Sequence, residues 1–403
     1  MVTDENIATP AGIRFQRYID YAEAVIKNYN SNEPFSLYLK KYFTANKKHG
    51  SRDRKLITAL CYGYFRLGRG IIGELSIQEK FLLGIFLSEN QPSPILELMK
   101  PEWNSKMQSP VSKKLTEVKS IFDCNNIFPF QDEISDKIDQ QKFYLSFLKQ
   151  PKLFIRIRPK QHQKVFDKLN SANILFEKIN RDCLSFDNTK KVSDIIKIDE
   201  EAVVQDYNSQ QVATFFTPIK KAKSGPIDLW DCCAASGGKS ILAFDALMNV
   251  QLTVSDTRKK ILENLRARFA KAGIANYHSF VADLTVDKSP SSIDNKTFDC
   301  IIADLPCSGS GTWGRSPEQI QFFSKEKLDE YAILQRKIVE NAIVHLKEDG
   351  YLLYVTCSVF KKENEENVSF IEKKLNMDKI ESRYLIGYEM QADTLFAALF
   401  RKR

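Results

Sequence analysis

Apolar positions in the first part of the chain recur at helical spacing. Phe15, Tyr18, Ile19, Ala22, Val25, Ile26 and Tyr29 follow an i, i+3, i+4, i+7 rhythm, the mark of one buried helix face. Asn30, Ser31, Asn32 and Pro34 interrupt it. A second helix is expected from Ser51, a good N-cap residue, with Ile57, Leu60, Cys61, Tyr64 and Phe65 on its apolar side. A third apolar block runs from Phe81 to Leu87. Residues 1–125 are expected to form a small helical bundle.

The middle of the chain, residues 146–215, mixes short strand-like runs with helical stretches. In Leu153–Ile157 and just beyond, Arg156 and Arg158 alternate with Ile155 and Ile157, which predicts a strand with one basic and one apolar face. Lys149, Lys152, Lys160, Lys164 and Lys168 crowd the same segment. A solvated charged face is the ordinary reading of such a cluster, and an RNA-facing sheet is the sharper one.

From about Gly225 the rhythm changes again. Short, almost wholly apolar runs at Ile227–Trp230, Leu252–Val254, Phe280–Ala282, Cys300–Ala303 and Tyr351–Val355 read as parallel strands covered on both faces. Helical stretches separate them, such as Arg258–Lys271, with Ile261, Leu265 and Phe269 at four-residue spacing and Gly273 as its stop. Alternation of this kind predicts a doubly wound α/β domain over 216–403.

Composition narrows the classes. Apolar residues make up 43% of the 403 positions, which is globular. No uncharged apolar run approaches the ~18 residues a membrane span needs. Met1 to Phe15 is polar where a signal peptide would be apolar, so a cytoplasmic protein is expected. The net charge of +8 permits a polyanionic partner without demanding one. The eight cysteines include no CxxC pair and the four histidines lie far apart, so no metal site is expected. Reduced thiols are the expectation, and a monomer.

Candidate chemistry collects at strand ends. Asp231, Asp256, Asp283 and Asp304 each close a predicted strand or follow it closely. Any one could be an ordinary helix cap. Together they mark the carboxyl edge of a parallel sheet, where ligands bind. Between the first two runs Cys233-Ala234-Ala235-Ser236-Gly237-Gly238-Lys239, whose small residues permit a tight turn against a ligand at a helix N-terminus. A phosphate loop of the GxxxxGK[ST] type would need glycine at 233, and GxGxxG is absent. Asp256 is placed to accept hydrogen bonds from the hydroxyls of a nucleoside cofactor's ribose. Cys307 follows Pro306 in a Gly/Ser loop after one strand, and Cys357 lies just past the next, so both are nucleophile candidates.

Asp304-Leu-Pro-Cys307, Thr356-Cys357-Ser358 and Cys233–Lys239 together resemble the Nop/Sun (Fmu) family of RNA cytosine-5 methyltransferases. Val203–Gln211 and Glu363–Val368 share the likeness, which is strong from about residue 150. In the N-terminus, Ser51–Leu56 and Tyr62–Arg66 are faintly similar to a NusB-like RNA-binding domain. Ser236 departs from the family's usual proline and should loosen that turn.

The resemblance implies a Rossmann-like catalytic domain that uses S-adenosylmethionine. The methionine end of the cofactor would lie by 233–239, its ribose on Asp256 and its adenine near Asp283. Cytosine carbon 5 is a poor nucleophile until a thiolate adds to carbon 6. The family assigns that attack to Cys357 and a role in release to Cys307. Sequence alone leaves the order open, since cytosine-5 DNA methyltransferases attack with the prolyl-cysteine. Asp304 would hydrogen-bond the base, and Lys239 would favour the thiolate. The implied substrate is small-subunit ribosomal RNA, with the middle segment and Arg52, Arg54, Arg66 and Arg69 gripping phosphates. Two other readings stand beside this one. A non-catalytic RNA-binding or ribosome-assembly protein has no need of both cysteines. An amino-group methyltransferase wants an Asn/Asp-Pro-Pro-aromatic loop in place of Asp304–Cys307.

Overall fold

The computed structural model describes residues 9–286 and 290–403, so the first eight positions of the Met1–Phe15 stretch lie outside it. The chain forms two compact units. The first holds the chain up to Asp132 together with Ile138–Gln150 and Trp313–Ser324; the second holds Glu133–Lys137, Pro151–Thr312 and Lys325–Arg403. Among the described residues no helix is long and apolar enough to cross a membrane.

The first unit is helical, with its main helices at Pro10–Asn28, Phe35–Ala45, Ser51–Arg66 and Ile77–Ser88. Thr9 caps the first through its hydroxyl, which accepts from the Gly12 amide at 3.0 Å. The last two of these helices touch backbone to backbone at Gly63 and Gly84. A β-carbon at Gly84 would lie 2.4 Å from the Gly63 carbonyl carbon, so glycine is what permits the crossing. Arg66 is not available to a phosphate. It is 1% exposed. Its guanidinium donates to the carbonyls of Phe147 (2.8 Å) and Gly314 (3.0 Å) and to Gln150 Oε1 (2.9 Å). Burying a guanidinium requires hydrogen-bond partners for its donors; both terminal nitrogens find them while Nε has none, and the bonds clasp the segments of the unit together.

The second unit contains two sheets. Strands β1 (Leu153–Ile157), β2 (Glu177–Lys178), β3 (Cys183–Phe186) and β4 (Ala202–Val204) form an antiparallel sheet in the order β2-β3-β1-β4. Ile155 and Ile157 pack into an apolar cluster with Val165, Leu169 and Leu184, as the alternation predicts. The opposite face is covered. Arg156 Nη1 and Arg158 Nη2 each reach Asp245 at 2.7 Å, and Arg156 is 6% exposed. These arginines bind the small sheet to the helix Gly238–Leu247 and present no basic strand face to RNA.

The larger sheet comprises β5 (Ile227–Asp231), β6 (Val250–Asp256), β7 (Tyr277–Val281), β8 (Phe298–Asp304), β9 (Leu346–Thr356), β10 (Met377–Leu385) and β11 (Leu395–Lys402). Their order is β10-β11-β9-β8-β5-β6-β7. The run from β7 through β9 is parallel, and β11 is antiparallel to both its neighbours. This is the doubly wound, Rossmann-like sheet that the alternation predicts. Strand order reverses between β5 and β8, the switch point at which open parallel sheets bind their ligands.

Two expectations shift. The strand expected at Phe280–Ala282 runs Tyr277–Val281, because its pairing with β6 begins at Tyr277. On the following-strand helix, Lys259–Ala272, the buried face is Leu262, Leu265 and Phe269, with Ile261 turned partly outward.

Candidate active site at the carboxyl edge of the sheet

The loop after β5 is held close to its neighbours by backbone bonds. The Cys232 amide donates to the Ile302 carbonyl (3.0 Å) and the Ala234 amide to the Ser255 carbonyl (2.9 Å). Ala235 takes φ 45°, a left-handed conformation that side chains resist, and its amide donates to Asp256 Oδ2 at 3.0 Å. Gly237 caps the next helix at φ 83°; a β-carbon there would sit 2.6 Å from the Phe269 ring. Gly238 is the reverse case, with no atom within 4 Å of a built β-carbon, so the loop has an open side. Ser236 is held in the turn from outside the loop. Arg268, itself paired with Asp199, donates to both the carbonyl and the hydroxyl of Ser236 at 3.0 Å. Cys233 is half-buried in this loop, beside the buried Cys232.

The strand-end carboxylates separate into distinct environments. Asp231 is fully buried. Ser240 Oγ donates to its Oδ2 at 2.6 Å, while no group bonds its Oδ1. Burial first, and Asp304 next among the groups that raise it, push its pKa up to about 7. Asp256 is buried too, but it accepts from the Arg258 amide (3.0 Å) and from Arg258 Nε (2.9 Å). Against the effect of burial, Arg258 holds it below the ordinary carboxylate range. Asp283 is exposed and closes a local turn, accepting from the amide (2.9 Å) and hydroxyl (2.6 Å) of Thr285. No bond joins it to the other three.

Asp304 ends β8 and receives Lys239 Nζ at 3.1 Å. Lys239 is 7% exposed. Burial alone would lower its pKa, but Asp304 and then Cys357 reverse the effect and raise it, so the ammonium is kept. A buried cation thus stands between the cofactor-type loop and a cysteine.

The two cysteines reach the same place because β8 and β9 are parallel neighbours. Cys307 leaves the end of β8 and Cys357 follows β9; both are free thiols, half-buried. The Cys357 amide donates to Cys307 Sγ at 3.3 Å. The Gly311 amide donates to the Cys357 carbonyl at 2.9 Å. A β-carbon at Gly311 would fall 1.9 Å from the Thr394 carbonyl oxygen, so the loop can lie this close only with glycine. Cys307 is raised well above an ordinary thiol, first by its hydrogen bond with Cys357, then by burial, with Glu363 adding.

Cys307, Cys357, Asp304, Lys239, Asp256 and the 233–239 loop, all candidates from their sequence pattern, lie at this edge of the sheet. That pattern assigns no task to Asp231 or to Glu363. An acidic residue closing an apolar strand is a visible signal for the first. The partners of Glu363 lie up to 55 positions away, and no local pattern announces them.

Residues 221–394 match the family model for the 16S rRNA methyltransferases RsmB/F. Ribosomal RNA small subunit methyltransferase B of Xanthomonas campestris pv. campestris is 29% identical over 178 residues, covering 42% of this chain and 38% of that protein. The chain thus spans about two fifths of that relative's length. Among solved structures, PH0851 superposes with a TM-score of 0.66 at 19% identity, over 98% of this chain and 99% of its own. NSun6 from Pyrococcus horikoshii, solved with SFG, gives 0.57 at 16% identity, over 66% of this chain and 94% of its own. At such identities the structures speak for the fold. The sequence match goes further: residues 221–394 are similar to the RsmB/F methyltransferase family.

Proposed function

We propose that this protein is an S-adenosylmethionine-dependent RNA cytosine-C5 methyltransferase that acts on small-subunit ribosomal RNA. The observation that carries this reading is the pairing of two free thiols at adjacent strand ends, Cys357 N to Cys307 Sγ 3.3 Å, beside the buried Lys239–Asp304 pair. The family match and the relative's name point to ribosomal RNA as the substrate.

The loop residues fit the cofactor. The open side at Gly238 leaves room, and the half-free Asp231 carboxyl lies buried beneath the loop. Cys233–Lys239 would cradle the methionine end, Asp256 would exchange Arg258 for the ribose hydroxyls, and Asp283 would mark the adenine side. S-adenosylmethionine supplies a methyl group activated on a sulfonium.

The protein's own residues supply the rest. Cys357 adds as thiolate to cytosine carbon 6, and the ring electrons thereby reach carbon 5, which bonds to the methyl carbon as the methyl–sulfur bond breaks. Lys239 favours the thiolate by its charge. Asp304 holds the base by its polar edge. Release requires loss of the carbon-5 proton to a base and return of the carbon 6–sulfur pair to Cys357. Cys307 serves that step. The base must be extruded from its stack at a cost of a few kcal/mol, which favours single-stranded or looped RNA. Residues 1–125 and the small sheet region, through exposed lysines such as Lys160 and not through Arg156 and Arg158, would add RNA contacts, and the cytoplasm would keep the thiols reduced.

The test is nucleoside mass spectrometry of an unmodified small-subunit rRNA transcript after incubation with S-adenosylmethionine. The wild-type protein should form 5-methylcytidine. Cys357→Ala should lower the yield by at least about a thousandfold, the scale for loss of a covalent nucleophile. Methyl on another atom, or an active Cys357→Ala, overturns the reading.

A further inference from the structure

Glu363 lies behind the thiol pair, fully buried. Its carboxylate accepts from the Ser308 amide (2.8 Å), from Gln335 Nε2 (2.9 Å) and from the hydroxyls of Ser308 and Ser358. Ser308 is the residue after Cys307, and Ser358 the residue after Cys357. One carboxylate therefore holds the chain just past each thiol. Gln335 extends the grip by donating to the Pro306 carbonyl at 3.0 Å, on the other flank of Cys307. Asn364 completes it around Cys357, accepting from Thr356 Oγ1 (2.6 Å) and donating to the Ser358 carbonyl (2.8 Å). A buried carboxylate is costly: burial raises the pKa of Glu363 above the ordinary carboxylate value, and the four donors offset part of that rise.

We propose that Glu363 is the positioning residue of the thiol pair: it fixes the separation of Cys307 and Cys357 and sets a carboxylate behind Cys307. The inference deepens the reading above and rests on it for its catalytic meaning. The carboxylate has a consequence for Cys307. Four titratable groups face that thiol: Cys357, Glu363, Tyr331 and Tyr354. Burial raises both tyrosines, so they stay neutral through the working pH range. Lys239, the nearby cation, is spent on Asp304 and Cys357. Glu363 then adds to the hydrogen bond with Cys357 and to burial in keeping Cys307 protonated until the adduct has formed on Cys357, so the two sulfurs do not compete for the base.

The decisive experiment needs neither RNA nor cofactor. The rate of iodoacetamide modification of Cys307 is followed across pH by peptide mass spectrometry in the wild-type protein and in Glu363→Gln. The expected result is an inflection moved to lower pH in the variant. A role confined to packing would change the rate at every pH without moving the inflection, and an unmoved inflection overturns the proposal. A second measurement reads release. Glu363→Gln should lower multiple turnover by about 10–100-fold, the scale of an ångström-sized misplacement, with protein–RNA adduct accumulating on a denaturing gel. Ser308→Ala removes one of the four donors and keeps the carboxylate, so it tests the same link if Glu363→Gln does not fold. It should accumulate adduct to a smaller extent, and wild-type release there counts against the clasp. If 5-methylcytidine forms without Cys357, the functional reading fails while the alkylation profile still decides the effect of the carboxylate behind Cys307.

Discussion

Two buried carboxylates in the second unit, Glu201 beside the small sheet and Asp231 at the edge of the large one, have opposite fates. Glu201 accepts from Lys164, from Lys168 and from the Lys197 amide at 2.8–2.9 Å. Against burial, which raises it, these donors bring it down to about 2. Asp231 has one hydroxyl donor and one bare oxygen, and burial drives it up to about 7. The same contrast runs through the surroundings. Around the small sheet, Asp245 answers Arg156 and Arg158 within 2.7 Å. At the large sheet's edge, a single ammonium, Lys239, faces Asp304, Asp231 and Cys357. Burial of charge alone does not mark a reactive site. What marks this one is a charge balance left open at the place where the strand order reverses.

The largest expected effect comes from breaking the closed side of the comparison. Asp245→Ala leaves two arginines without their carboxylate and should cost about 3–5 kcal/mol in chemical denaturation. A loss under 1 kcal/mol would show that the pairing is ornamental. On the open side, Asp304→Asn should cost less in stability but lower methyl transfer by about 10²–10³, the scale for removing one preorganised polar group. A variant that unfolds with near-normal activity per folded molecule would reverse that assignment.

The pH dependence sharpens the contrast. Because the folded-state pKa of Asp231 is raised, its contribution is fully present below the unfolded value near 3.9 and is lost as pH rises toward about 7. Glu201 works the other way: its contribution is present above the unfolded value near 4.3 and is lost as pH falls through about 2. Asp231→Asn should therefore recover up to about 2.7 kcal/mol between pH 5 and pH 7, two units at 1.36 kcal/mol each. Parallel denaturation curves for variant and wild type at both pH values would contradict a neutral Asp231. The smallest effect is expected at Asp256→Ala, which should weaken S-adenosylmethionine by about 10–100-fold in calorimetry, a little over 1 to nearly 3 kcal/mol. Unchanged affinity would remove Asp256 from the ribose position.

The open side was largely legible in the sequence because a parallel sheet puts every strand's end at one edge. Once the apolar runs ending at Asp231, Asp256 and Asp304 are read as strands, the loops carrying Cys307 and Cys357 must meet there. The closed side was not legible. Arg156 alternates with isoleucines and reads as an exposed basic face, yet its partner Asp245 lies 89 positions away on another element. Arg66 misleads similarly, since all but one of its acceptors are backbone carbonyls, which any sequence supplies. The hairpin β10–β11 escaped for a different reason: β10 has mostly exposed or half-exposed positions and no clean alternation. Side-chain type and spacing thus predict where a strand ends better than they predict which distant group answers a buried charge.

The central claim is that Cys357 holds a cytosine covalently while Cys307 governs its departure. The most direct measurement incubates Cys307→Ala with S-adenosylmethionine and a radiolabelled, unmodified small-subunit rRNA transcript, then resolves the mixture on a denaturing gel. A slow-migrating protein–RNA band that disappears in the Cys307→Ala/Cys357→Ala double variant is the predicted result. No band in the single variant, or a band that survives loss of both thiols, would contradict it.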